Sequence, residues 1–158
     1  MIMETIYDVP ILLRREIEAL MIKSLMDAFA AEIGEERARE VIRQVIVASA
    51  KKAGQEYAEK LGNNDIPAME KQMEGWTAND ALKMKIISKD EKHMRYDVTS
   101  CAYVKMYERL NMKELGPILS CSRDEPFYVG FNPKMKMTRT KELMTGGDCC
   151  DFGFTLED

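Results

Sequence analysis

The chain from about residue 100 onward concentrates its chemistry. All four cysteines fall there, at 101, 121, 149 and 150, in the contexts "SC" (100–101), "CSRD" (121–124) and "TGGDCCDFGF" (145–154). Thiols act as nucleophiles or metal ligands, and Asp124 and Asp148 beside them could move protons, so each position bears on function. Cys101 falls where a helix is expected to begin, and exposed backbone N–H groups there favour a thiolate; the competing reading is a small buried apolar residue. Cys121 closes an apolar run and leads directly to Asp124. In the closing strand, period two sets Cys150 on the face of Phe152, Phe154 and Leu156, and Cys149 on the other face with Asp151. Asp148 and Cys150 are expected to face inward, leaving Cys149 outside the site. Arg139 has the parity of Met135 and Met137, which carries it past the core to a pocket mouth. A half-buried arginine needs an anion. That anion is Asp124 or Asp148 in an ion pair, or the carboxylate of a small ligand held by both arms of the guanidinium.

The bulk composition narrows the function classes. With 158 residues, 46% hydrophobic and 32% charged, the chain fits one domain spanning 1–158. A net charge of -4 leaves no basic footprint for nucleic acid, and no run approaches the length of a membrane span. The opening "MIMETIYDVP" meets charge too early for a signal peptide, so a cytoplasmic location and reduced thiols are the expectation. There is no CxxC pair, and His93 is the only histidine, with the parity of a solvent-facing strand residue. GxSxG, the phosphate-binding loop and GxGxxG are absent too.

The elements that must position these groups read as α+β. Apolar residues at three- and four-residue steps predict a long helix after Pro10, with Leu13, Ile17, Leu20, Met21, Ser24 and Ala28 as its inward stripe. Gly34 ends it, and a second helix with Val41, Ile42, Val45, Ile46, Ser49, Ala53 and Tyr57 inward runs to about Gly62, forming a hairpin of helices. A short helix follows from Asn64 or Asp65, with Pro67 in its first turn. From Leu82 the period becomes two, and "SKDEK" separates two strands. Thr99 or Ser100 caps a helix over "CAYVKMYERL", and another short helix carries Pro117. Two further strands, around 134–140 and 150–156, complete an antiparallel sheet of about four strands covered by helices.

Taken together, "SC", "CSRD" and "GFNPKMKMTRTKELMTGGDCCDFGF" (130–154) resemble the L-2-amino-thiazoline-4-carboxylic acid hydrolase family. The resemblance rests on Cys101, Cys121, Asp124, Arg139, Thr140, Gly147, Asp148, Cys150, Asp151 and Phe152, and it covers the C-terminal third; Cys149 occupies a spacer position. It implies hydrolytic opening of a cyclic amidine to a carbamoyl cysteine. Such a reaction needs attack on the ring carbon between nitrogen and sulfur, a proton donor for the leaving atom and a cation for the 4-carboxylate. Cys121 or Cys150 as nucleophile, Asp124 or Asp148 handling protons, and Arg139 with Cys101 binding substrate would supply these. A zinc ion gathered by Cys101, Cys121 and Cys150 is the alternative activator, which the spacing does not favour. Outside enzymology, a non-catalytic sensor-type domain binding a small molecule or a metal, as in the vinyl-reductase-type sensors, fits the same layout. A structural protein whose cysteines only pack is the third reading. The partner expected in the first two is a small molecule; oligomeric state is not legible.

Overall fold

The computed structural model describes residues 8–158. Two long helices come first, α1 (Ile11–Ile33) and α2 (Glu35–Leu61), joined at Gly34, whose φ of +85° suits glycine. The expected hairpin of helices forms, but α1 is turned the other way. Ala19 and Met26 are buried and Leu12, Ile22 and Ala30 pack beside them, while Leu13, Ile17, Leu20 and Met21 are 47–63% exposed. The helix is apolar on more than one side, so its period does not choose which face turns inward. Ile17→Ser and Met21→Gln are therefore expected to shift stability by less than about 0.5 kcal/mol, against a loss of about 2–5 kcal/mol for Met26→Ala; urea unfolding of the three variants checks the orientation.

On α2 the buried row is Ala38, Ile42, Ile46, Ala50 and Gly54, four residues apart, and Val45 points outward, 57% exposed. Small residues dominate this row because another helix lies almost directly against it. The helix α3 (Ile66–Thr77) opens as the spacing predicts: the Asp65 carboxylate accepts the Ala68 N–H at 2.9 Å, capping the helix start, and Pro67 occupies the first turn.

The sheet comprises β1 (Leu82–Lys89), β2 (His93–Cys101), β3 (Met135–Arg139) and β4 (Cys150–Leu156), antiparallel throughout in the order β1-β2-β4-β3. The α+β expectation therefore holds. Alternation survives on the central strands, where Met94, Tyr96, Val98, Cys150, Phe152 and Phe154 are buried. On edge strand β1 two register shifts break it, and Ile86 is 48% exposed instead of inward. His93 lies on the surface, as its parity predicts, against Asp90 at 3.0 Å.

Between β2 and β3 run α4 (Ala102–Arg109), the one-turn α5 (Gly116–Leu119), a 3-10 turn at Cys121–Arg123 and α6 (Asp124–Phe131). The α4 start corrects the expected cap: the N-cap position is Cys101, which also ends β2, and neither Thr99 nor Ser100. The helix α6 was not anticipated. Asp124 and Glu125 at its positive end and Pro126 in its first turn are its sequence signals. Two clusters of buried side chains result. One lies under the sheet with Tyr128, Phe131 and Phe154, and the other lies among the helices with Met26, Ile42, Met106 and Leu119. Among the described residues no helix is long and apolar enough to cross a membrane.

Candidate functional site

A cavity of about 170 Å³ opens where the two clusters meet. Cys101, Cys121, Asp124, Arg139 and Cys150 all line it, although the first and last are 49 positions apart in the chain. The C-terminal end of β2 brings Cys101 and the start of β4 brings Cys150; these strands are adjacent, with Val98 opposite Cys150. Cys121 and Asp124 come from the turn into α6, and Arg139 from the last residue of β3. Trp76, Tyr96, Phe127 and Phe152 supply aromatic walls, with Tyr96 and Phe152 stacked at 5.0 Å between ring centres.

Arg139 meets an anion of the protein's own. Its Nη1 donates to Asp124 Oδ2 at 2.5 Å and its Nη2 contacts Glu142 Oε2 at 2.7 Å, while the guanidinium lies 5.2 Å from the Phe152 ring centre. Of the alternatives, the ion pair with Asp124 is the one that forms. Glu142 joins as a second carboxylate that the spacing does not reveal. One cation thus faces two anions, which explains why an upward shift at both partners favours the charged form of Arg139 and the neutral form of Asp124. Arg139 loses to burial, but two carboxylates outweigh that and raise its pKa. At Asp124, which shares its one close cation with Glu142, burial outweighs that cation and pushes the carboxyl up to about 6.

Burial likewise keeps the thiols protonated. It is the leading cause at all three positions, raising Cys150 to about 11 and Cys101 and Cys121 above the usual thiol range. At Cys101 the N–H groups of Val104 and Tyr103 oppose it, as a helix start should, without overcoming it. At Cys121 the neighbouring Asp124 and Glu142 add to it, and at Cys150 the Leu143 N–H, 3.3 Å from the sulfur, and Arg139 oppose it. Among the described residues no group of three or more His, Cys, Asp or Glu side chains is disposed to hold a metal ion.

Asp148 corrects the inward expectation. Its side chain is 75% exposed and bonds Lys141 Nζ at 3.0 Å, outside the cavity. The turn preceding β4 swings it out, because Gly146 takes φ +99° and Gly147 N–H donates to Glu142 O at 2.8 Å. A Cβ on Gly147 would lie 2.9 Å from Glu142 backbone atoms, so the second glycine keeps the Glu142 backbone close. Asp151 fixes the other end of this connection. Its carboxylate accepts the Thr140 hydroxyl and the N–H groups of Thr140 and Lys141 at 2.5–2.8 Å, and the Thr140 bond leads in lowering its pKa to about 2. Thr140, Gly147 and Asp151 thus hold the loop that presents Glu142 to Arg139.

Two charged cavity residues are not among those of the C-terminal pattern: Arg15 on α1 and Arg123 in the turn before α6. They sit either side of Glu18. Arg15 Nη1 reaches both of its oxygens, at 2.7 and 2.6 Å, and Arg123 Nη2 reaches Oε2 at 3.1 Å. Neither is singled out by type and spacing, although Arg123 lies within the "CSRD" stretch.

The family model for L-2-amino-thiazoline-4-carboxylic acid hydrolase matches residues 14–154, most of the chain and well beyond the C-terminal third. The chain belongs to this family. No protein of curated function matches it. Among solved structures, the phenol-responsive sensory domain of the transcription activator PoxR, with phenol bound, is similar at 10% identity and a TM-score of 0.52, over 84% of this chain and 71% of that one. A trafficking protein particle complex subunit 3 from Naegleria fowleri, covalently bound to palmitic acid, is similar at 10% identity and TM-score 0.53, over 92% and 96% of the two chains. At this identity the likeness is one of fold.

Proposed function

We propose that the protein hydrolyses a small cyclic amidine carboxylate of the 2-amino-thiazoline-4-carboxylate type, with Asp124 as the general acid and base. The observation that supports this reading is a ring-sized cavity in a member of the family, walled by aromatics and lined by a largely covered carboxyl whose pKa is pushed up to about 6. An apolar cavity of roughly 150 Å³ accommodates one benzene-sized ring, and the present one is about 170 Å³. A carboxyl titrating near neutrality can accept a proton and return it within one turnover.

In this reading ionised Asp124 takes a proton from water as the water oxygen adds to the ring carbon between nitrogen and sulfur. In that addition the carbon–nitrogen π pair of the amidinium passes to the ring nitrogen; the tetrahedral adduct then collapses, its hydroxyl losing its proton to solvent as the carbonyl forms, while the carbon–sulfur bond breaks with its electron pair on sulfur and protonated Asp124 delivers its proton to that sulfur. One water is consumed, and the product is a carbamoyl cysteine with a free thiol. The high thiol pKa values argue against a resting thiolate nucleophile, so Cys101, Cys121 and Cys150 line the site as neutral, polarisable walls.

Ring opening should be seen as loss of ring absorbance matched by one titratable thiol per substrate. Cys121→Ser and Cys150→Ser should each retain turnover within about tenfold, since a lining group is altered and not the proton carrier. Abolition by either serine variant would restore covalent catalysis by that cysteine; inert wild-type protein across related ring substrates would sink the hydrolase reading. A second reading, a non-catalytic ligand sensor, is favoured by the similarity to the phenol-responsive domain together with the ring-sized aromatic cavity. It predicts saturable binding of a ring compound with no bond broken.

A further inference from the structure

Two charged clusters reach the cavity, one through Asp124 and Arg139 and the other through Arg15 and Arg123, and they are unequal and opposite. Arg139 faces Asp124 and Glu142, one cation against two carboxylates. Arg15 and Arg123 face Glu18, two cations against one carboxylate. In formal charge the first cluster carries one excess negative and the second one excess positive. The first draws on the end of β3, the loop after it and the first residue of α6, the second on α1 and the turn before α6.

We propose that Arg15 and Arg123, and not Arg139, receive the carboxylate of the ligand, so that the cavity selects rings carrying a carboxylate on one side and a cationic amidine on the other. The inference rests on the reading of this cavity as the site for a cyclic amidine carboxylate, and adds the residues that orient it. Arg139 is poorly suited, since both arms of its guanidinium are engaged by carboxylates and an incoming anion would meet their excess charge.

Arg15 and Arg123 have capacity left. Guanidinium carries five N–H donors. Among the described residues, Arg15 bonds only through Nη1, to Glu18, and Arg123 through Nε to Leu119 O at 2.7 Å and through Nη2 to Glu18. Both side chains are largely covered, at 22% and 18% exposed, so water screens them little. Burial, with the charge of Arg15 next, pushes the Arg123 pKa down to about 10, as expected of two cations crowded without a full complement of anions. A ligand carboxylate would supply the missing charge.

The chemistry then fixes the pose. In a 2-amino-thiazoline-4-carboxylate the carboxylate and the amidine carbon lie across a ring nitrogen from each other. With the carboxylate on Arg15 and Arg123, the amidine turns toward the cluster with excess negative charge, which contains Asp124. The reacting carbon and the proton carrier meet without Arg139 giving up its partners.

The test compares two non-hydrolysable probes by calorimetry, 2-aminothiazole-4-carboxylate and 2-aminothiazole. Wild-type protein should bind the carboxylate probe about 10- to 100-fold more tightly, the range for charge-assisted hydrogen bonds. Arg15→Gln and Arg123→Gln should each remove most of that preference and leave 2-aminothiazole affinity unchanged, with thermal melting confirming that the variants fold. Equal affinity of wild-type protein for both probes, or binding of neither, overturns the proposal and requires no variant; so does a preference that survives both substitutions. The hydrolase reading fails separately: carboxylate-selective binding with no turnover of the thiazoline sinks that reading and leaves the arginine pair standing.

Discussion

Asp124→Asn is expected to lower the rate of ring opening by about 10²- to 10⁴-fold, the usual worth of a positioned proton carrier. Asparagine keeps the shape of the side chain, and Arg139 keeps Glu142 as a counter-ion, so the cation is not left alone in the core. The same substitution should alter how stability depends on pH. Burial raises the folded-state pKa of Asp124 from 3.8 to about 6, so the folded protein holds this proton more tightly than the unfolded chain. The stabilising contribution is therefore full below about pH 4 and is lost as pH rises through about 6. Asp151 has the opposite sign, since its pKa is lowered to about 2, so the difference between wild type and Asp124→Asn isolates the Asp124 contribution. Denaturant unfolding at pH 4 and pH 7 should show the wild type losing stability relative to the variant; parallel behaviour would mean that Asp124 is not strained by burial.

Gly54→Ala and Gly130→Ala should be the most damaging substitutions to the fold, each costing about 3 kcal/mol or more. Helices α2 and α6 cross with their backbones in contact. A Cβ on Gly54 would lie 2.0 Å from Phe127 O, and one on Gly130 would lie 2.0 Å from Lys51 O. The obstructing atoms are main-chain carbonyls, which no rotamer change moves, so the helices must part. Because α6 begins with Asp124 and carries Phe127, the wall of the cavity would move with them. Gly75, exposed in α3, is the internal control: a Cβ there meets nothing within 4 Å. Gly75→Ala should stabilise by up to about 1 kcal/mol, the ordinary gain of alanine over glycine in a helix. If all three glycines tolerate alanine equally, the close crossing is wrong.

The contrast between these glycines shows what was legible in the sequence. Period two identified β2, β3 and β4 because one side of the central sheet is buried, and the same parity brought Cys150 and Arg139 inward and left Cys149 out. For α1, apolar on several sides, periodicity found a helix and misjudged its face. The row on α2 was hard to see because alanine and glycine carry little hydrophobic signal, yet they allow the closest packing. Asp148 misled because alternation does not extend into a turn governed by Gly146 and Gly147. Cys101, Cys121, Asp124, Arg139 and Cys150 were nominated by type and spacing and do line one cavity. Their protonation was not legible, since a helix start argues for a thiolate and only the packed structure weighs burial against it. Arg15 and Arg123 lay beyond sequence reasoning, because what joins them is Glu18, three residues from one and 105 from the other.

The pH profile of kcat/KM for 2-amino-thiazoline-4-carboxylate tests the central claim most directly. If ionised Asp124 removes the proton from water, the rate should rise with pH through a limb near 6, and that limb should vanish in Asp124→Asn along with nearly all turnover. Wild-type rates in Asp124→Asn, or a profile that climbs only above about pH 8 as a buried thiol ionises, would contradict it.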